Sequence, residues 1–188
     1  MLIPGFSSAV HAESERDWPV VCFPILGENR VNQLEKLLDL TGVPATTEIC
    51  PILPHPSRNP RRADDLLINY ARPLFKQRRT PMTNILHVHE SHPFEVYRQL
   101  LKAMHRYKDS MCILGGCRMI VTPLGSKLVT IGAGLACFEM RPVDSIAKYS
   151  VAIPHVESKR YTASIKDLRE SEPEISALLL TGQAYARS

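Results

Sequence analysis

No stretch of this chain approaches the roughly 18 consecutive apolar residues of a membrane-spanning helix, and Met1-Leu2-Ile3-Pro4-Gly5 lacks the basic region and long apolar core of a secretory leader. The cysteines Cys22, Cys50, Cys112, Cys117 and Cys137 are odd in number and form no CxxC pair, so reduced core thiols are expected rather than a disulfide framework. Also missing are a GxSxG elbow, an HExxH motif and a GxGxxG turn after the first strand, which weakens hydrolase, zincin and dinucleotide-dehydrogenase readings in turn. Lys and Arg are spread without a basic tail; the formal charge of +4 suits an anionic partner but makes no case for nucleic acid. No internal repeat or low-complexity tract is present.

What is present is ordinary for a globular protein: 188 residues, 44% apolar and 22% charged, enough for one domain with a sizeable core. A cytoplasmic location without membrane attachment is the expectation. The apolar opening segment is also what an upstream portion of a larger domain would leave.

Strand-like and helix-like periods alternate along the chain. Val20 to Ile25 is a continuous apolar run between Pro19 and Gly27, as a strand buried on both faces requires. Glu28 to Leu40 carries an apolar stripe at helical spacing, with Gly42 as its expected C-cap. Thr46 to Leu53 is β-branched and alternating, with Pro51 marking a bulge or an early end. The proline-rich segment 54–62 predicts a stiff basic loop. A helix is expected over Ala63 to Gln77, kinked or ended by Pro73, and a strand over Thr83 to His89. Pro93 then opens a helix through Lys108. Met111 to Leu114 and Met119 to Thr122 read as one strand with a glycine bulge at Gly115-Gly116, or as two short strands. A helix over Ser126 to Met140, a strand over Ile146 to Ile153 and a terminal helix over Glu172 to Thr181 complete the pattern.

This alternation predicts an α/β, Rossmann-like three-layer fold with a mostly parallel sheet of about five strands. Residues 1–155 form the domain, and 156–188 a C-terminal loop and helix extension of it.

Ligands of open parallel sheets sit beyond the carboxyl ends of the strands, where strand order reverses. The segments expected there are Gly27 to Arg30, the loop His55 to Arg62, His89 to His92, Thr122 to Lys127 and Pro154-His155. Arg58, Asn59, Arg61, Arg62, Gly125, Ser126 and Lys127 are accordingly the candidate ligand-binding residues, able to hold an anion by guanidinium contacts and helix-terminal amides. Each has a plainer reading: Lys127 as a solvated first-turn residue, the arginine loop as solvated surface, Gly115-Gly116 as a strand bend. The Gly116-to-Gly125 spacing is too long for a Walker loop, so P-loop hydrolysis is disfavoured.

His89 and His92 are candidate acid/base residues, with Glu90 orienting them, because imidazole titrates near neutral pH. His87, His89 and His92 invite a metal reading but match no zinc spacing, so no metal site is assigned and the cofactor is left open. Cys117 has no nucleophile motif around it and reads as packing.

The turn Thr122-Pro123-Leu124-Gly125-Ser126-Lys127 resembles the Gly-Thr-Lys turn of CARF-type Rossmann domains that sense signalling nucleotides. It departs from that pattern in Pro-Leu before the glycine and Ser in place of Thr. The resemblance implies nucleotide-phosphate recognition by Gly125, Ser126 and Lys127, and is compatible with a homodimer or larger assembly. The sequence thus points to binding of a nucleotide or other phosphate or carboxylate ligand, as a sensor or part of a larger protein. Its alternative is an enzyme acting on a phosphorylated or carboxylated small molecule through His89 or His92.

Overall fold

Strand β1, Val20–Ile25, is buried along its whole length, as an apolar run on both faces requires. In this computed structural model residues 18–40, 47–143 and 147–154 are described, together with 165, 175, 177 and 178. The chain divides into two units, Met1–Val156 and Glu157–Ser188, and every element below belongs to the first. The expected C-terminal extension and its helix, and the proposed cap at Gly42, lie outside the described residues.

Pro51 breaks the second strand into β2, Glu48–Ile49, and β3, Ile52–Pro54. Both pair with β1, Cys22 opposite Ile49 and Ile25 opposite Ile52, and since 49 − 22 and 52 − 25 are equal the register never slips. The interruption is therefore a missing N–H rather than a bulge. With β4, Leu86–Val88, β5, Cys117–Pro123, and β6, Tyr149–Ala152, the sheet runs β4-β3-β1-β5-β6, with β2 beside β1. All described pairings are parallel. The fold is thus a Rossmann-like three-layer α/β fold. Among the described residues, six strand segments trace five spatial strands.

The helices divide by crossover. Helix α1, Val31–Leu40, and α2, Arg62–Asn69, cover one sheet face, where Leu34, Leu37, Leu66 and Tyr70 pack with Cys22, Leu53 and Ile120. Helix α3, Pro93–Met111, and α4, Lys127–Glu139, cover the other, where Leu100, Met104, Val129 and Ala133 pack with Phe23, Ile52 and Val121. The chain steps outward from β1 to β4 on the first face, then returns over the second through α3 to start β5. Right-handed crossovers require that change of face. Among the described residues no helix is long and apolar enough to cross a membrane.

Several expected boundaries move for identifiable reasons. Residues 28 and 29 form a turn, with Asn29 at φ 57°, so α1 starts at Val31 and not at Glu28. The helix expected to run to Gln77 stops at Asn69 and resumes as a π-helical turn, Arg72–Lys76, because Pro73 supplies no N–H; Gln77 N–H instead reaches Arg72 O at 3.0 Å. Thr83 and Asn84 belong to a 3₁₀ turn, leaving β4 short. Met111 to Leu114 is no strand: α3 continues to Met111 and a 3₁₀ turn, Cys112–Leu114, follows, closed by Gly115 at φ 90°. That turn leaves Cys112 exposed, while the other four cysteines are buried.

Helices α3 and α4 approach so closely that a Cβ on Gly132 would lie 2.2 Å from Pro93 O and 2.8 Å from Val96 Cβ, whereas one on Gly134 would meet nothing within 4 Å. In urea unfolding, Gly132→Ala is expected to destabilise the protein by about 1–3 kcal/mol, since main chain has to shift. Gly134→Ala is expected to stabilise it by about 0.5–1 kcal/mol through helix propensity alone. Stabilisation by both would contradict the close approach.

Candidate functional site

The loops that leave β1 and β5 meet beyond the ends of the central strand pair. Gly27 lies against the Leu124 carbonyl, which an added Cβ would approach to 1.8 Å, and Leu124 N–H donates to Ile25 O at 3.1 Å. Only glycine permits that contact. On the α2 side, the buried Tyr70 hydroxyl donates to Gly27 O at 2.8 Å, and burial raises the Tyr70 pKa to about 12, so it stays a donor. The point where strand order reverses is therefore plugged by main chain, and open space is displaced toward β3.

There a small cleft is lined by Ile25, Pro54, Arg62, Glu90, Gly125 and Ser126, bringing together four of the expected site residues from the three loops after β3, β4 and β5. Its free volume is about 10 Å³, roughly the space of one water. Ser126 is the N-cap of α4, its Oγ accepting from Val129 N–H at 3.4 Å. The amides of Lys127 and Leu128 in the first turn have no carbonyl of their own helix to serve, and the helix dipole makes that end favourable to anions.

Arg62 is the hub. Its Nη1 bonds the Glu90 carboxylate, and its Nε lies 3.2 Å from Glu28 Oε1, an ion-pair distance without hydrogen-bond alignment. The Glu90 carboxylate also accepts from Arg58 N–H at 3.4 Å. Side chains of Arg62 and Glu90 are 26% and 16% exposed, so the pair is part-buried and solvent reaches it only in part.

Arg62 also forms a wall between this cleft and an open basin of about 380 Å³. The basin is lined by Glu28, Asn29, Asn59, Asp65 and Asn69 as well, with Leu66 and Ile68 supplying the apolar wall. Asn59 is partly committed, since its Oδ1 accepts from Arg61 N–H at 3.0 Å. The side chains of Arg58, Arg61 and Lys127 are exposed and line neither space.

His89 and His92 come together, their ring centroids 4.1 Å apart, and His89 Nδ1 accepts from Ser91 N–H at 3.1 Å. Among the described residues no hydrogen bond joins Glu90 to either ring; its carboxylate is held by Arg62 and the Arg58 amide instead. His155 lies outside the described residues. No group of three or more His, Cys, Asp or Glu among the described residues is placed to hold a metal ion. Burial pushes the Cys117 thiol up to about 11 and those of Cys22, Cys50 and Cys137 to about 12, which keeps them protonated and unreactive.

No protein-family model and no curated protein matches the chain. The site rests on geometry alone. Asp65 and Asn69 were not among the residues expected from sequence, since polar residues on a surface helix carry no signal by themselves. Glu28 and Asn29 fall in a loop placed on the rim, and the left-handed Asn29 that ends β1's turn is their only local mark.

At the sheet edge His87 packs against His55, ring centroids 5.8 Å apart, and partial burial, then the neighbouring imidazole, lowers the His87 pKa from 6.5. Above pH 6.5 both folded and unfolded chains keep this ring neutral. Below it the unfolded chain takes up a proton that the folded chain resists, so stability falls until the lowered folded pKa is passed. Denaturant midpoints measured at about pH 7.5 and about pH 5 should therefore drop on acidification, and drop less in His87→Asn. An equal drop in both proteins would remove His87 from the account.

Proposed function

We propose that the protein binds a small molecule carrying a phosphate or carboxylate, of the nucleotide class, at the carboxyl rim of its sheet, as a sensor or as part of a larger protein. The observation that carries this reading is the convergence of Arg62 with Gly125 and Ser126 at the start of α4 in one cleft. A guanidinium facing a helix N-terminus supplies two independent anion-binding elements. Arg58, Arg61 and Lys127, exposed around them, add a salt-sensitive field that draws anions in. The nucleotide class comes from the likeness of Thr122 to Lys127 to the CARF-type turn.

With room for about one water, the cleft takes a ligand only by opening. Glu90 stands where the ligand's anion would stand, so binding exchanges one carboxylate on Arg62 for another anion. The exchange preserves Arg62's pairing while transferring Glu90 to water.

A second reading, an enzyme acting on a phosphorylated or carboxylated molecule, is favoured by the His89–His92 pair beside Glu90. With Nδ1 accepting from Ser91, neutral His89 carries its proton on Nε2, which can donate a hydrogen bond to a ligand oxygen. Recovery of bound nucleotide unchanged after long incubation would decide against this reading.

Calorimetric titration with ADP tests the binding reading. Arg62→Gln is expected to weaken ADP about tenfold or more, through loss of a charge-assisted hydrogen bond. Glu90→Gln is expected to tighten it, by removing the competing carboxylate. Unchanged affinity in both variants, with melting temperatures preserved, would sink the proposal.

A further inference from the structure

The basin beside Arg62 differs in chemistry from the cleft. Two carboxylates, Glu28 and Asp65, face one guanidinium that is already shared with Glu28 and Glu90. A second anion would be repelled there. Carboxylates and amides are, by contrast, the groups that accept from and donate to sugar hydroxyls.

Asp65 and Asn69 stand four positions apart on α2, hence one above the other on a single face. Among the described residues no hydrogen bond or ion pair holds either side chain. Ile68, between them in sequence and 72% exposed, gives the same wall an apolar surface that its helix does not otherwise bury. A wall that alternates hydrogen-bonding groups with an aliphatic surface fits a sugar ring, whose edge is hydroxylated and whose face is C–H. The volume of about 380 Å³ falls within the range of small-molecule sites.

We infer that this basin is a subsite for a polyhydroxylated, uncharged moiety, such as a pentose, joined to the anionic group held at the Arg62 cleft, with Asp65 and Asn69 as its hydroxyl-recognising residues. The inference rests on the proposed anion site and specifies the neighbouring part of its ligand. Arg62 links the two, since it borders both spaces.

Calorimetry with inorganic phosphate and with ribose 5-phosphate separates the two claims. Wild-type protein is expected to bind ribose 5-phosphate about tenfold more tightly than phosphate, the worth of one or two hydrogen bonds to charged or amide groups. The double variant Asp65→Ala/Asn69→Ala, shown folded by circular dichroism and melting temperature, is expected to lose that increment, binding ribose 5-phosphate no more tightly than it binds phosphate. Equal affinities for the two ligands in wild type, or an increment that survives the double variant, would overturn the subsite while leaving the anion site standing. If phosphate itself fails to bind, the anion site and the subsite fall together.

Discussion

Six consecutive residue pairs, from Val20–Arg118 to Ile25–Pro123, hold β1 against β5, and at the end of that ladder Gly27 packs directly on the Leu124 main chain. The chain beyond β1 turns to one sheet face and the chain beyond β5 to the other, so this contact fixes where two helices on opposite faces begin. It also fills the position where an open parallel sheet ordinarily offers its crevice. Space for a ligand is thereby displaced toward β3, under the first turn of α4 and beside the loop that carries Arg62.

Arg62 gains its role from that displacement. It is the first residue of α2, close to the carboxyl end of β3, and its side chain meets Glu90 from the loop after β4 and Glu28 from the loop after β1. Three loops are thus tied by one guanidinium. The pair is part-buried, so it lies between an exposed ion pair, worth about 1 kcal/mol or less, and a buried one, which is costlier to break. On the proposed reading, an anion competes with Glu90 for this guanidinium. The charge balance also divides the rim: cationic residues lie outside, and a carboxylate-rich basin lies beside the hub.

Much of this was legible in the sequence, and the reasons are local. Val20 to Ile25 suits a strand buried on both faces and forms one, and Pro93 and Ser126 each begin a helix in the way their chemistry favours. Met111 to Leu114 is ambiguous because four apolar residues fit a strand and a helix end equally well; in the fold Met111 closes α3 against the core, while Ile113 beyond it is 92% exposed. Pro51 was recognised as a break, but whether the register slips across it depends on a partner strand that the sequence does not display. The rim residues were gathered by the rule that loops after parallel strands share one edge. Glu90, by contrast, has the histidines as its neighbours in sequence, whereas in space an arginine 28 positions away takes its carboxylate. Ion pairs between distant loops leave no periodicity to read.

On the proposed reading, an anion enters at Arg62 and the first turn of α4. Proton–nitrogen NMR spectra of the protein, recorded while ADP is added, test it by location. Concentration-dependent shifts are expected in the amides of Gly125, Ser126 and Lys127 together with the Nε–H of Arg62. Saturating shifts confined to other parts of the sheet, with these four signals unmoved, would contradict it.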